Sequence, residues 1–272
     1  MPPMTAREVF ERFQACALAR DWQSFGELAA EDAVMEFPFA PPGAARETRG
    51  RDAIRAAARE SWGRSPFRVD AFDEVTVHEG REPGVLFAEY DVHGAVLATG
   101  APFRFSFAML LRVQGGLIAT MREYMDPLAM SAAARAGARD LVARFHRAML
   151  ELSADALADL LAADAVYEYP FARLDRVQRL HGRDEIRARF RAHWAAAPVR
   201  VEAIRDVVVH DTFDPEVVVC EQEAAAVRTD TGAPFTLRSV LVLRVRGGAI
   251  VHARDYGDAL GSARALDRVP LG

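Results

Sequence analysis

Ala119-Thr120-Met121-Arg122-Glu123-Tyr124-Met125-Asp126 returns, 132 residues later, as Val251-His252-Ala253-Arg254-Asp255-Tyr256-Gly257-Asp258. Each copy follows a Gly-Gly pair, Gly115-Gly116 and Gly247-Gly248, and reads as the last strand of a domain. Side chains alternate across a strand. One face of the first copy therefore carries Leu117, Ala119, Met121, Glu123 and Met125, and the other carries Ile118, Thr120, Arg122, Tyr124 and Asp126. The first face is apolar except for a single carboxylate. A carboxylate among apolar groups is costly unless it is paired or put to use. In the second copy Asp255 takes that place, among Ala249, Val251, Ala253 and Gly257.

The same offset recurs along the chain without a gap. Glu36-Phe37-Pro38-Phe39-Ala40 matches Glu168-Tyr169-Pro170-Phe171-Ala172, and Gly50-Arg51-Asp52-Ala53-Ile54 matches Gly182-Arg183-Asp184-Glu185-Ile186. Trp62 matches Trp194, His78 matches His210, and Gly100-Ala101-Pro102-Phe103 matches Gly232-Ala233-Pro234-Phe235. Two copies of so long a unit predict duplicated whole domains rather than a solenoid. The expected boundaries are 1–130 for the first, an Ala/Gly-rich linker at 131–138, and 139–272 for the second.

Within each unit, helical periodicity comes first and period-two alternation after it. Thr5-Ala6-Arg7-Glu8 fits a capping box. Val9, Phe13, Ala17 and Leu18 then mark a helix through Arg20, answered by Leu141, Phe145, Met149 and Leu152. A short second helix carries Phe25 and Leu28, a strand runs 33–37 before the Pro41-Pro42-Gly43 loop, and a third helix runs about 52–62. Strands are predicted at 67–78, 85–92, 96–113 with a break at Gly100-Ala101-Pro102, and 117–126. This order predicts an α+β fold: two tandem cone-shaped α+β-barrel domains, each with three helices on a curved antiparallel sheet and a pocket between.

With 272 residues, half of them apolar, each unit has the means for a core. All 34 basic residues are Arg, the formal charge is −5 and no basic patch stands out, so nucleic acid is not an expected partner. No apolar run approaches the ~20 residues of a membrane span, and the start has no secretion signal, so the expected compartment is the cytoplasm. Cys16 and Cys220 fall at non-equivalent repeat positions and are expected to be buried and reduced. The scattered histidines show no metal-ligand spacing and the glycines form no phosphate loop, so no metal or cofactor is expected.

The three-helix start, the Glu-Phe-Pro-Phe-Ala strand, the Gly-Arg-Asp-Ala-Ile helix entry and the closing Arg-Glu-Tyr-Met-Asp-Pro together resemble SnoaL-like domains, which share the nuclear transport factor 2-like (ketosteroid isomerase-like) cone fold. Glu89-Tyr90-Asp91-Val92-His93-Gly94 and Arg122-Glu123-Tyr124-Met125-Asp126-Pro127 add a narrower likeness to the phenazine-biosynthesis A/B family. There the acidic residue of the closing motif is the pocket's general acid, which implies that role for Glu123. The chain departs from the family in its third helix, where Ala57 and Arg189 stand in place of a histidine, and in carrying two domains.

The candidate acid/base residues are Glu123, Asp255, Glu36 and His193. Glu123 and Asp255 are read either as acids with a raised pKa in an apolar pocket or as buried carboxylates bonded to an arginine. Glu36 and Glu168 are read either as second pocket carboxylates or as sheet-fixing partners of Arg122 and Arg254. Glu89 and Glu221 carry the same two readings. Ser61 and His193 are repeat-equivalent polar residues on the mainly apolar stripe of helix three, beside Trp62 and Trp194. Ser61, Trp62, Phe103, Phe105, Met121, Glu168 and Trp194 form the expected substrate-binding set, with Phe107 as a further wall. Arg122, Tyr124 and Asp126, with Arg254, Tyr256 and Asp258, are expected on the outer face, joining the domains as an intramolecular pseudo-dimer in a monomer or homodimer. The expected activity is cofactor-independent isomerisation, cyclisation or condensation of a small apolar molecule in secondary metabolism. The alternatives are epoxide opening by paired carboxylates and non-catalytic binding.

Overall fold

The computed structural model describes residues 2–41, 43–171 and 178–267. Pro42 of the proline loop, Ala172 of the repeated motif, and the ends of the two expected domains at Met1 and 268–272 lie outside the described residues. The chain forms two compact units that divide between Ala134 and Arg135.

The first unit opens with α1 (Ala6–Ala19). The capping box is present: the Thr5 hydroxyl accepts the Glu8 N–H and the Glu8 carboxylate accepts the Thr5 N–H. Its buried stripe is Val9, Phe10, Phe13 and Cys16, while Leu18 is exposed. Val9 and Phe13 thus fall on the core face as expected, and Phe10 and Cys16 complete it in place of Leu18. Asp21 caps α2 (Trp22–Leu28) by accepting the Ser24 N–H at 2.9 Å. Then come β1 (Ala29–Glu36), β2 (Glu47–Arg49), α3 (Arg51–Arg64), β3 (Phe67–Glu79), β4 (Val85–Val96), β5 (Pro102–Gln114) and β6 (Leu117–Met125). The break expected at Gly100-Ala101-Pro102 is a corner between β4 and β5, and the expected strand beyond it is β5. β4 ends at Val96 because Gly100 adopts a left-handed φ of 72° and Ala101 turns back to bond Val96.

The sheet order is β2-β1-β6-β5-β4-β3, antiparallel except for β1 against β6. The β5–β6 turn places Gly115 and Gly116 at φ 58° and 82°, which explains the Gly-Gly pair: tight hairpin turns require such angles. α1 packs on β3, β4 and β5, and α3 packs on β1 and β2. The inner face buries Leu86, Ala88, Met109, Leu111 and Met121 essentially completely. Each of these leucine and methionine side chains contributes about 1.5–3 kcal/mol on burial.

α4 (Pro127–Leu150) spans the division of the chain, so the expected linker 131–138 is helical. Asp126 caps it, accepting the Leu128 and Ala129 N–H groups. The second unit repeats the first: α5 (Ala154–Ala158), β7 (Leu161–Tyr169), β8 (Gln178–His181), α6 (Arg183–Ala196), β9 (Val199–Asp211), β10 (Val217–Arg228), β11 (Pro234–Arg246), β12 (Ala249–Gly257) and α7 (Ala259–Ala265). Its sheet order, β8-β7-β12-β11-β10-β9, is that of the first unit. Bulges recur in place too, with Glu74 and Asp206 both at positive φ. Both units are thus α+β cones. Both cysteines are buried free thiols. Among the described residues no helix is long and apolar enough to cross a membrane.

Candidate acid/base site

The alternation along β6 puts Glu123 on the inner face with Met121. Across β5, Glu123 stands opposite Met109 and Met121 opposite Leu111. The hydroxyl that meets Glu123 comes from two strands away: Tyr90 of β4 donates to Glu123 Oε1 at 2.5 Å. Tyr90 is 3% exposed. Its ring stacks on Phe107 at 5.5 Å and leans on Phe72 at 5.4 Å and Phe10 at 5.6 Å. Burial raises the Glu123 pKa, opposed by the Tyr90 hydrogen bond, which favours the carboxylate. Burial and the neighbouring carboxylate push the Tyr90 phenol well above its ordinary value, so it remains a proton donor. Tyr90 holds one oxygen, Oε1, and Oε2 receives no hydrogen bond from the described residues. The arrangement is an anchored carboxylate with a free oxygen.

The second unit has the same chemistry from a different quarter. Asp255 accepts a hydrogen bond from Tyr167 at Oδ2, 3.2 Å away. Tyr167 lies on β7, the strand beside β12 on the side away from β11. Burial drives the Asp255 pKa up to about 6, against the Tyr167 bond. Tyr167 is fully buried, with Tyr169 at 4.9 Å and Phe190 at 5.2 Å between ring centroids. Both tyrosines have raised pKa values through burial and the charge of Asp255. The repeat positions do not correspond: Tyr90 aligns with Gln222, and Tyr167 aligns with Met35. Gln222 Oε1 instead accepts from Nε2 of the buried His146 at 2.6 Å. Burial lowers the His146 pKa, opposed by the Gln222 hydrogen bond.

The remaining candidates separate from this pair. Glu36 accepts from Arg122 Nε at 2.8 Å and lies level with it in the β1–β6 ladder, on the face opposite Glu123. Glu168, 5% exposed, is held by Arg179 at 2.6 Å and Arg254 at 2.8 Å, with His252 Nε2 3.3 Å away but not hydrogen-bonded to it. Burial alone would raise its pKa, but the bonds from Arg254 and Arg179 hold it low. Both residues follow the sheet-fixing reading. Glu89 and Glu221 meet His78 and His210 at 3.3 and 2.7 Å among exposed groups. Ser61 and His193 are exposed, each in the last turn of its helix. Trp62 packs on Phe25 at 5.4 Å and Trp194 on Phe190 at 5.1 Å, both half-buried. Phe103 and Phe105 stack at 4.7 Å and meet Phe67, continuing the aromatic wall that Phe107 carries to Tyr90. Tyr124 and Tyr256 pack edge-on against Phe39 and Phe171, each at 5.2 Å. Asp258 caps α7 through the Gly261 N–H, as Asp126 caps α4.

Sequence reasoning missed Tyr90, Tyr167 and His146. The signal was present: Tyr90 falls in register with Leu86, Ala88 and Val92, the only hydroxyl on that buried row. Among the described residues no group of His, Cys, Asp and Glu is arranged to hold a metal ion.

Comparison with known proteins agrees with the doubled cone. The family model for the SnoaL-like domain matches twice, at residues 7–121 and 142–253. The chain belongs to the SnoaL-like domain family, with two copies in tandem. Among its relatives is YesE, an uncharacterized protein of Bacillus subtilis, 31% identical over 128 residues, covering 47% of this chain and 86% of the relative. An uncharacterized PhzA/B-like protein of Pseudomonas aeruginosa is 26% identical over 125 residues, covering 46% of this chain and 86% of its own length. A phenazine biosynthesis-related protein of Pseudomonas aeruginosa, known from a crystal structure, is 23% identical with a TM-score of 0.37, covering 47% of this chain and 78% of that one.

Proposed function

We propose that this chain is a cofactor-independent acid/base catalyst of the isomerase or cyclase kind, working in the cytoplasm on a small, largely apolar molecule of secondary metabolism. The observation that carries the reading is the anchored carboxylate: an acid with a raised pKa among aromatic rings, one oxygen fixed by a buried tyrosine and the other without a hydrogen bond from the described residues. A general base works best when its pKa approaches the working pH. Glu123 as carboxylate takes a proton from a C–H beside a carbonyl through Oε2, and as carboxylic acid returns it at another carbon. Tyr90 stays protonated throughout and keeps Oε1 in place. Asp255 with Tyr167 performs the equivalent transfer in the second unit. The epoxide-opening alternative needs a second carboxylate in the pocket, and Glu36 is committed to Arg122 on the other face.

The test needs no knowledge of the natural substrate. Apolar cyclic ketones, 2-tetralone first, are incubated in D2O and deuterium wash-in is followed by NMR. Wild type is expected to accelerate wash-in, with Glu123→Gln losing about 100-fold or more of the acceleration at that site. Wash-in by the Glu123→Gln/Asp255→Asn double variant at the wild-type rate would leave a binding domain pair as the surviving reading.

A further inference from the structure

One cross-strand row distinguishes the units. In the first, Tyr90, Phe107 and Met125 stand directly opposite one another across β4, β5 and β6. In the second, the same row is Gln222, Ser239 and Gly257 across β10, β11 and β12. Two large aromatic side chains and a methionine give way to an amide, a hydroxyl and a hydrogen atom. The row lies on the face of the carboxylate, two residues along from Asp255. Among the described residues a Cβ built at Gly257 would have one neighbour within 4 Å, Asp255 Oδ1 at 3.8 Å. Among the described residues that position is therefore uncrowded, and it borders the Asp255 oxygen that Tyr167 does not hold.

The polar groups of the row are set for an incoming partner. His146 Nε2–H donates to Gln222 Oε1 at 2.6 Å, and the Cys220 thiol lies 3.7 Å from the same oxygen. Those contacts fix the amide and occupy its acceptor, and its NH2 makes no hydrogen bond among the described residues. Ser239, half-buried beside it, adds a hydroxyl that can donate or accept. On the far flank Tyr167, Tyr169 and Phe190 give Asp255 an aromatic wall. In the first unit, the flank vacated by Tyr167 carries Met35 instead, 9% exposed and unable to donate a hydrogen bond.

We infer that the second unit holds a ligand site of its own, for a flat aromatic molecule carrying hydroxyl or carbonyl groups, with Gln222 and Ser239 as its specificity-determining residues and Gly257 providing the room. The site discriminates by hydrogen bonding. A ligand lacking the polar groups would leave the half-buried amide unpaired, which is the stronger form of selection between molecules of similar shape. The inference rests on the reading of Asp255 as the working group of this unit.

Calorimetric titration of the full chain with 2-naphthol and with 2,7-dihydroxynaphthalene tests it. The two probes share a skeleton and differ by one hydroxyl. Wild type is expected to bind the dihydroxy compound more tightly. Gln222→Leu/Ser239→Ala is expected to weaken that compound about tenfold or more while changing 2-naphthol less than twofold, and Gly257→Met to weaken it similarly by filling the space. Unfolding midpoints within a few degrees of wild type verify the fold of each variant. Unchanged dihydroxynaphthalene binding in Gln222→Leu/Ser239→Ala, or no binding by wild type, overturns the inference. Deuterium wash-in by Asp255→Asn separates the two ideas. Undiminished wash-in at the second site, alongside row-dependent binding, removes the acid/base reading and leaves the row as a binding site without catalysis.

Discussion

Asp255 carries the most direct prediction at the scale of single residues. Its folded pKa of about 6 exceeds the ordinary 3.8, so between those values the folded chain holds more protons than the unfolded one. Stability therefore falls as pH rises through that window, and the full penalty, about 3 kcal/mol, stands above pH 6. Asn does not titrate. The stability of Asp255→Asn relative to wild type is expected to rise by about that amount between pH 4 and pH 8, measured by chemical denaturation at both. A flat difference across the range would mean that Asp255 ionises as freely as an exposed carboxylate. The tyrosines act in the opposite sense. Because the Tyr167 bond lowers the Asp255 pKa, Tyr167→Phe is expected to move the Asp255 titration upward, seen in its side-chain 13C carboxyl resonance. Tyr90→Phe is expected to do the same for Glu123. A downward shift in either would show that the hydroxyl favours the protonated acid.

At the scale of elements, much was legible. The constant offset predicted the duplication, alternation along the closing strand placed Glu123 and Asp255 inward, and Thr5 with Glu8 announced the start of α1. Thr5→Ala is expected to cost about 1 kcal/mol in the first unit, read as a lowered denaturation midpoint. An unchanged midpoint would mean that the exposed cap adds nothing beyond water. The tyrosine partners were hidden for a physical reason. Sequence gives the face of a residue but not the strand order, and Tyr90 reaches Glu123 only because β5 lies between their strands. The repeat itself misled here. Equivalent carboxylates suggested equivalent surroundings, yet the donor sits at position 90 in one copy and 167 in the other, 77 residues apart rather than 132. Ser61 and His193 share the helical stripe of Ile54 and Ile186 by angle, but the last turns of α3 and α6 leave them exposed, and no angular pattern shows where a helix passes the edge of its core. Both family matches stop two residues before the carboxylates, at 121 and 253, so the family alone does not single them out.

For the whole molecule, each unit has a complete six-stranded sheet and its own buried core, the two features that let a segment fold alone. Residues 1–134 expressed by themselves are expected to unfold in one cooperative thermal transition followed by circular dichroism. A gradual, non-cooperative loss of signal would mean that the first core depends on the second. The second unit takes its opening helix from the later part of α4, where Leu141, Val142, Phe145 and His146 are buried. A cut placed after 146 would remove the side chain that fixes Gln222, and with it the polar row.

The exchange of tyrosine partners has a consequence for how the two copies diverge. Tyr90 approaches Glu123 across β5, whereas Tyr167 approaches Asp255 from the strand on the other side. The two anchors sit at non-equivalent places in the repeat, so either can be altered with no counterpart in the other copy. Tyr90→Phe is expected to leave the Asp255 titration in place, and Tyr167→Phe that of Glu123.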